Sequence, residues 1–148
     1  MRNAIIFLDS GDTLVDESTE VRIKGDVVDH AEFFPGIKEV LFQLKNAGFR
    51  VALVADGLVE SFDNIYRQHE METYFEVRAI SETVGVCKPA GEMFKTAMEK
   101  MNLEEADKKY IIMIGNNLER DIVGANRMGI TSVLAGYSPC LLYTSDAA

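Results

Sequence analysis

The stretch Ala4-Ile-Ile-Phe-Leu8, running straight into Asp9-Ser-Gly-Asp-Thr-Leu14, decides the fold. Five consecutive apolar residues without alternation suit a strand covered on both faces of a parallel sheet, and the polar residues that follow mark its end. Working outward, the same pattern recurs. Segments 50–55 and 110–114 read as buried strands, 77–80 as a weaker one, and 131–134 closes the series. Between them lie segments of helical spacing. Ile37, Val40, Leu41, Leu44 and Ala47 follow Pro35 and stop at Gly48. Val59, Phe62, Ile65 and Tyr66 share one face over 58–70, and Met93, Phe94, Ala97, Met98 and Met101 do so over 91–101. A last helix covers about 118–128 before Gly129. Alternating strands and helices predict an α/β fold, a doubly wound, Rossmann-like sheet of five parallel strands with right-handed crossovers. Segments 20–24 and 27–33 flank Gly25-Asp26 and nearly alternate, which predicts a small β-hairpin flap over about 20–33.

The chain of 148 residues is 47% hydrophobic and 26% charged, enough for one core, and a single domain over 1–139 is expected. Its formal charge of −9, without a basic block, disfavours nucleic acid as a partner. No apolar run reaches spanning length, so no membrane partner is expected. Cys87 and Cys140 are too few and too far apart for a disulfide framework or a Cys-x-x-Cys zinc site, and a reducing, cytoplasmic setting fits. The segment 140–148, Cys-Leu-Leu-Tyr-Thr-Ser-Asp-Ala-Ala, resembles the translation of a sequencing adapter. It is set aside from the functional reading as a non-native tail, with the expectation that the natural chain runs on past Pro139.

In a doubly wound sheet the chemistry sits at the carboxyl ends of the strands. There the sequence places Asp9 and Asp12, then Ala55-Asp-Gly57, then Cys87-Lys-Pro89, then Gly115-Asn-Asn-Leu-Glu-Arg-Asp121. A carboxylate, a lysine and a second carboxylate group on one rim suit phosphoryl transfer: one carboxylate attacks phosphorus or holds a metal, the ammonium offsets negative charge, and the other carboxylate completes the metal site. Taken singly, Asp12 reads equally as a turn residue, Asp56 as a turn or N-cap residue, and Asp121 as a charge favourable to a helix start.

In order and placement these segments resemble the haloacid dehalogenase superfamily of phosphatases and related hydrolases, from Ala4 through Leu134. The resemblance makes Asp9 the nucleophile that forms an aspartyl-phosphate, with Thr13 and Leu14 also in place. It makes Lys88 the electrostatic partner of that group and of the bound phosphate. It implies Mg²⁺ as cofactor, held by Asp9, the Gly11 carbonyl, Asn116 and Asp121, and a phosphorylated molecule as substrate.

Three positions depart from the family pattern. Gly11 stands where the family's acid–base Asp belongs, and an Asp follows one place late as Asp12, a candidate replacement. Ala55 stands in place of a phosphate-binding Ser or Thr, leaving the backbone N–H groups of Asp56 and Gly57 as candidate donors. Asn116 replaces a metal carboxylate and should weaken Mg²⁺ binding. Slow turnover is expected, above all on alkyl phosphates, whose leaving groups need a proton. The alternative is a degenerate member that binds a phosphorylated ligand or a partner without turnover. Nothing in the set points to halide binding. The spacings from Asp9 to Ala55 and from Ala55 to Lys88 hold no cap domain, which leaves the flap as the only lid unless a neighbouring subunit covers the site. By family analogy that arrangement goes with bulky substrates.

Overall fold

The computed structural model describes residues 2–139, and the adapter-like segment 140–148 lies outside them. A five-stranded parallel sheet is built from β1 (Ile5–Leu8), β4 (Arg50–Ala55), β5 (Val77–Ile80), β6 (Ile111–Gly115) and β7 (Thr131–Leu134), in the order β5-β4-β1-β6-β7. β1 is central because it pairs on both sides, with Ile5–Leu8 in register with Arg50–Leu53 and with Ile111–Ile114. All four of its residues are buried.

The two faces of the sheet separate by the period of two that strand geometry imposes. Ile6, Leu8, Val51 and Leu53 face one core, covered by Leu41 of α1 (Ile37–Asn46) and by Phe62, Ile65 and Tyr66 of α2 (Val59–Gln68). Ile5, Phe7, Ala52 and Val54 face the other, covered by Met93, Phe94, Ala97 and Met98 of α4 (Gly91–Lys100) and by Ala125 of α5 (Gly124–Arg127). Helices on both faces of a parallel sheet are the doubly wound architecture that the apolar runs predict. Among the described residues no helix is long and apolar enough to cross a membrane.

The flap departs from expectation at its start. Its first strand, β2, runs over Val15–Lys24, five residues earlier than the alternation suggests, and pairs antiparallel with β3 (Val27–Phe33). The reason is a break in register. Asp16 pairs with Glu32 and Val21 with His30, so residues 17–20 oppose far fewer partner residues and the alternation is lost locally. An isolated two-stranded ribbon has little stability of its own. Here the free edge of β3 is docked on α2. Ser61 Oγ accepts from Val28 N–H at 2.9 Å, Gln68 Oε1 from Ala31 N–H at 3.0 Å, and Asn64 Nδ2 donates to the Val28 carbonyl at 3.0 Å. His69 Nε2 lies 2.8 Å from the Ala31 carbonyl, which gives that histidine a structural place.

Two local elements also differ. A one-turn helix, α3 (Ser81–Val84), follows β5. The expected helix over 118–128 begins as a π-helical turn, Leu118–Val123, and becomes α-helical only at Gly124. Asn117 starts this turn, its Oδ1 accepting from the N–H groups of Glu119 and Arg120, while its carbonyl accepts from both Asp121 and Ile122.

Candidate active site

β1 delivers Asp9 to the carboxyl rim, and the N–H of Asp9 still donates to Ile114 of β6 at 3.1 Å, so the sheet itself holds the residue. The chain then turns back. The N–H groups of Thr13, Leu14 and Val15 all donate to the Ser10 carbonyl, and Asp12 adopts a left-handed conformation (φ 56°) that aspartate tolerates better than most residues. The Tyr137 hydroxyl donates to the Thr13 carbonyl and so ties the loop after β7 to this turn.

Lys88 is the centre of the site. Its ammonium lies 2.9 Å from Asp9 Oδ1 and 2.5 Å from Asp121 Oδ1, with only 1% of the lysine side chain exposed. Burial works against its charge, but Asp9 and Asp121 outweigh burial and hold its pKa above the ordinary lysine value. The other faces of the carboxylates are also held. Asp9 Oδ2 accepts from Thr13 Oγ1 at 3.1 Å, and the same hydroxyl lies 3.3 Å from Asn116 Oδ1. Asp121 Oδ2 accepts from Asn117 N–H at 3.0 Å.

Gly115 makes this possible. A Cβ there would lie 2.2 Å from Asp121 Oδ2 and 2.3 Å from its Cγ, so Gly115→Ala must push the carboxylate off Lys88. We expect a loss of about 1–3 kcal/mol in urea unfolding, together with weakened function of the site.

The residues predicted as catalytic or metal-binding converge. Asp9, Gly11, Asp12, Lys88, Asn116 and Asp121 border one polar cavity of about 190 Å³, together with Asp56 and Arg120. Asp12 is buried, and its Oδ1 accepts the N–H of Glu17 at 2.9 Å, which places its carboxylate at the root of the flap. Asp56 Oδ1 accepts the N–H of Lys88 at 2.9 Å and thereby locks the lysine loop to the end of β4. The N–H of Gly57 is already engaged by Ser81 Oγ at 2.8 Å, and that of Val59 by Glu82 Oε1 at 2.9 Å. α3 thus caps the start of α2, and the backbone donor expected at Gly57 is occupied by a side chain.

Three residues of this cavity, Glu17, Asn117 and Arg120, were not singled out by the sequence. Arg120 follows from its place beside Asp121, and its guanidinium lies 4.0 Å from Asp56 Oδ2. Glu17 carries no motif signal. It lies in the bulged part of β2, where its carboxyl end turns inward over Gly11. Partial burial there, together with Asp12, Glu20 and Asp9, pushes its pKa up to about 7.

The fit of Mg²⁺ can be judged from the donor set. Asp9, Asn116 and Asp121 offer hard oxygen donors around one cavity, as this cation requires. Among the described residues no three His, Cys, Asp or Glu side chains are grouped as a cage. Magnesium is commonly held by one or two carboxylates plus neutral oxygens and substrate.

Comparison with known proteins bears on the family and the fold. Residues 10–135 match the family described as haloacid dehalogenase-like hydrolase. The chain belongs to the haloacid dehalogenase-like hydrolases. Within them it is 35% identical over 104 residues to a glyceraldehyde 3-phosphate phosphatase of Pyrococcus abyssi, covering 70% of this chain and 42% of the relative. A glyceraldehyde 3-phosphate phosphatase of Pyrococcus furiosus is 33% identical over the same coverage. The chain therefore spans about four-tenths of the length of these relatives. Among solved structures, the magnesium-bound HAD-hydrolase YfnB of Bacillus subtilis superimposes with a TM-score of 0.75 at 14% identity. That match covers 90% of this chain and 87% of the other. A HAD phosphatase from Thermococcus onnurineus gives 0.74 at 15%, covering 88% and 85%. These two likenesses bear on the fold of the haloacid dehalogenase-like core.

Proposed function

We propose that the protein is a Mg²⁺-dependent phosphomonoester hydrolase in which Asp9 is the nucleophile. The observation that supports this most is the Asp9–Lys88–Asp121 chain, buried at Lys88 and Asp121, with Lys88 Nζ at 2.9 and 2.5 Å from the two carboxylates at the strand ends. The phosphatase names of the relatives support the same reading.

Asp9 is positioned by its backbone bond to β6 and oriented by Lys88 and Thr13, so its carboxylate meets phosphorus without reorganising. Lys88 offsets the negative charge that builds on the transferring group, and its burial strengthens that effect. Arg120, at the cavity mouth, adds a second cation for the phosphate. Asp9, the Gly11 carbonyl, Asn116 and Asp121 would hold Mg²⁺, which supplies charge neutralisation at the phosphoryl oxygens. The substrate is a phosphorylated small molecule or a bulkier phosphate, reached from a rim that, among the described residues, the flap borders.

Asn116 sets the metal affinity. Asn116→Asp adds a negative charge beside Asp9, and the Mg²⁺ concentration for half-maximal activity should fall by roughly tenfold. A titration of phosphate release against Mg²⁺ checks this.

A second reading, binding of a phosphorylated ligand without turnover, is favoured by Gly11, Ala55 and Asn116, each lacking a group that the family's chemistry uses. Phosphate release from 4-nitrophenyl phosphate and acetyl phosphate, with and without Mg²⁺, separates the two. The proposal expects Mg²⁺-dependent release from both. Phosphate or beryllofluoride binding with no release at all would favour the binding reading.

A further inference from the structure

Gly11 leaves the cavity without a side chain on the rim of the turn, and the fold fills that volume from elsewhere. A Cβ built on Gly11 would lie 2.0 Å from Glu17 Oε1 and 2.9 Å from its Cδ. The Glu17 carboxylate therefore occupies the space that a side chain at position 11 would take. We propose that Glu17 is the acid–base group of this site, delivered by the flap in place of the side chain that Gly11 lacks. The inference rests on the phosphatase reading above.

Three features place Glu17 there. It sits in the bulged segment of β2, and bulges re-aim side chains beside active sites. Its own N–H is bound by Asp12 Oδ1 at 2.9 Å, which anchors the bulge to the nucleophile turn. The flap that carries it is pinned to α2 through Ser61, Asn64 and Gln68.

The other carboxylates of the cavity already have donors. Asp9 has Lys88 and Thr13, Asp121 has Lys88 and the Asn117 N–H, Asp56 has the Lys88 N–H, and Asp12 has the Glu17 N–H. Among the described residues Glu17 is the cavity carboxylate that accepts no hydrogen bond.

In the first half-reaction an Asp9 oxygen bonds to phosphorus, the bond from phosphorus to the leaving oxygen breaks, and the Glu17 carboxylic acid gives that oxygen its proton. In the second, the Glu17 carboxylate takes a proton from water as the water oxygen bonds to phosphorus. The bond from phosphorus to Asp9 breaks, inorganic phosphate leaves, and Glu17 is protonated again.

The test uses the full chain and a series of aryl phosphates from 4-nitrophenyl, which leaves without a proton, to phenyl and 4-methoxyphenyl, which need one. Glu17→Gln should lose about 10²-fold on phenyl phosphate and under about tenfold on 4-nitrophenyl phosphate. Because each preparation is compared with itself across substrates, a smaller folded fraction cannot produce the change in slope. An unchanged slope with an active wild type overturns the role of Glu17 and leaves the phosphatase reading standing. A wild type inactive on every ester overturns both.

A swap gives an independent readout. With Glu17→Ala the space above Gly11 is clear, and adding Gly11→Asp should recover at least about tenfold of the lost phenyl phosphate activity. Gly11→Asp in the presence of Glu17 meets the carboxylate and should gain nothing. Equal activity of Glu17→Ala with and without Gly11→Asp would overturn the proposal.

Discussion

Asp9→Asn should abolish Mg²⁺-dependent phosphate release, by at least about 10³-fold, while the chain stays folded. The amide keeps the shape of the carboxylate and its oxygen can still accept from Lys88 or Thr13, so the packing at the end of β1 has no reason to change. What it lacks is the nucleophilic electron pair and the charge. A moderate loss shared between kcat and KM would mean that Asp9 only helps to bind the phosphate or the metal. A loss confined to kcat, with inorganic phosphate still competing for the site, is the pattern of a nucleophile. Release of phosphate from 4-nitrophenyl phosphate, with circular dichroism on the same samples, measures both.

Lys88→Met should be the most damaging substitution for stability. The lysine side chain is 1% exposed and lies between two carboxylates, of which Asp121 is also 1% exposed. Removing the cation leaves two carboxylates facing each other in a poorly solvated place. Loss of one partner of a buried pair costs about 3–5 kcal/mol. The urea midpoint should fall accordingly in metal-free buffer, with an activity loss of about 10²–10³-fold because the transferring group loses its nearest cation. Lys88→Arg would not restore function, since a planar guanidinium cannot place one nitrogen between Asp9 Oδ1 and Asp121 Oδ1 as the ammonium does. A variant that unfolds at the same urea concentration as the wild type would show that Lys88 is not a paired, buried charge.

Much of this was legible in the sequence because the deciding signals are local. Ile5–Leu8 is apolar at every position since both faces of β1 are covered, and a run of that kind followed by Asp9 marks a strand end without knowledge of any partner. Lys88 and Asp121 could be read from their place after strands, and they do converge on Asp9. The flap was legible only in part. Its outer arm alternates, but residues 17–20 break register, and a bulge erases the period on which strand recognition depends. For the same reason Glu17 was invisible, because its position above Gly11 arises from the bulge and from the docking of β3 on α2, and no spacing along the chain encodes either.

The backbone donor expected at Gly57 failed for a related reason. Ser81 Oγ reaches it from a one-turn helix 24 residues further on, too short a segment to register as helical spacing. The π turn at Leu118 likewise hides in an ordinary apolar pattern. It is set by Asn117, whose carbonyl serves two N–H groups, and it lets Asp121 point back at Lys88.

In the proposed reaction phosphorus becomes covalently attached to Asp9. The direct measurement is to incubate the full chain with acetyl phosphate and Mg²⁺, quench in acid, and map the added phosphoryl group by mass spectrometry of the peptides. A phosphoryl group should appear on Asp9 before inorganic phosphate is released and should be absent from Asp9→Asn. Steady hydrolysis with no label on Asp9, or with label on another residue that survives Asp9→Asn, would contradict it.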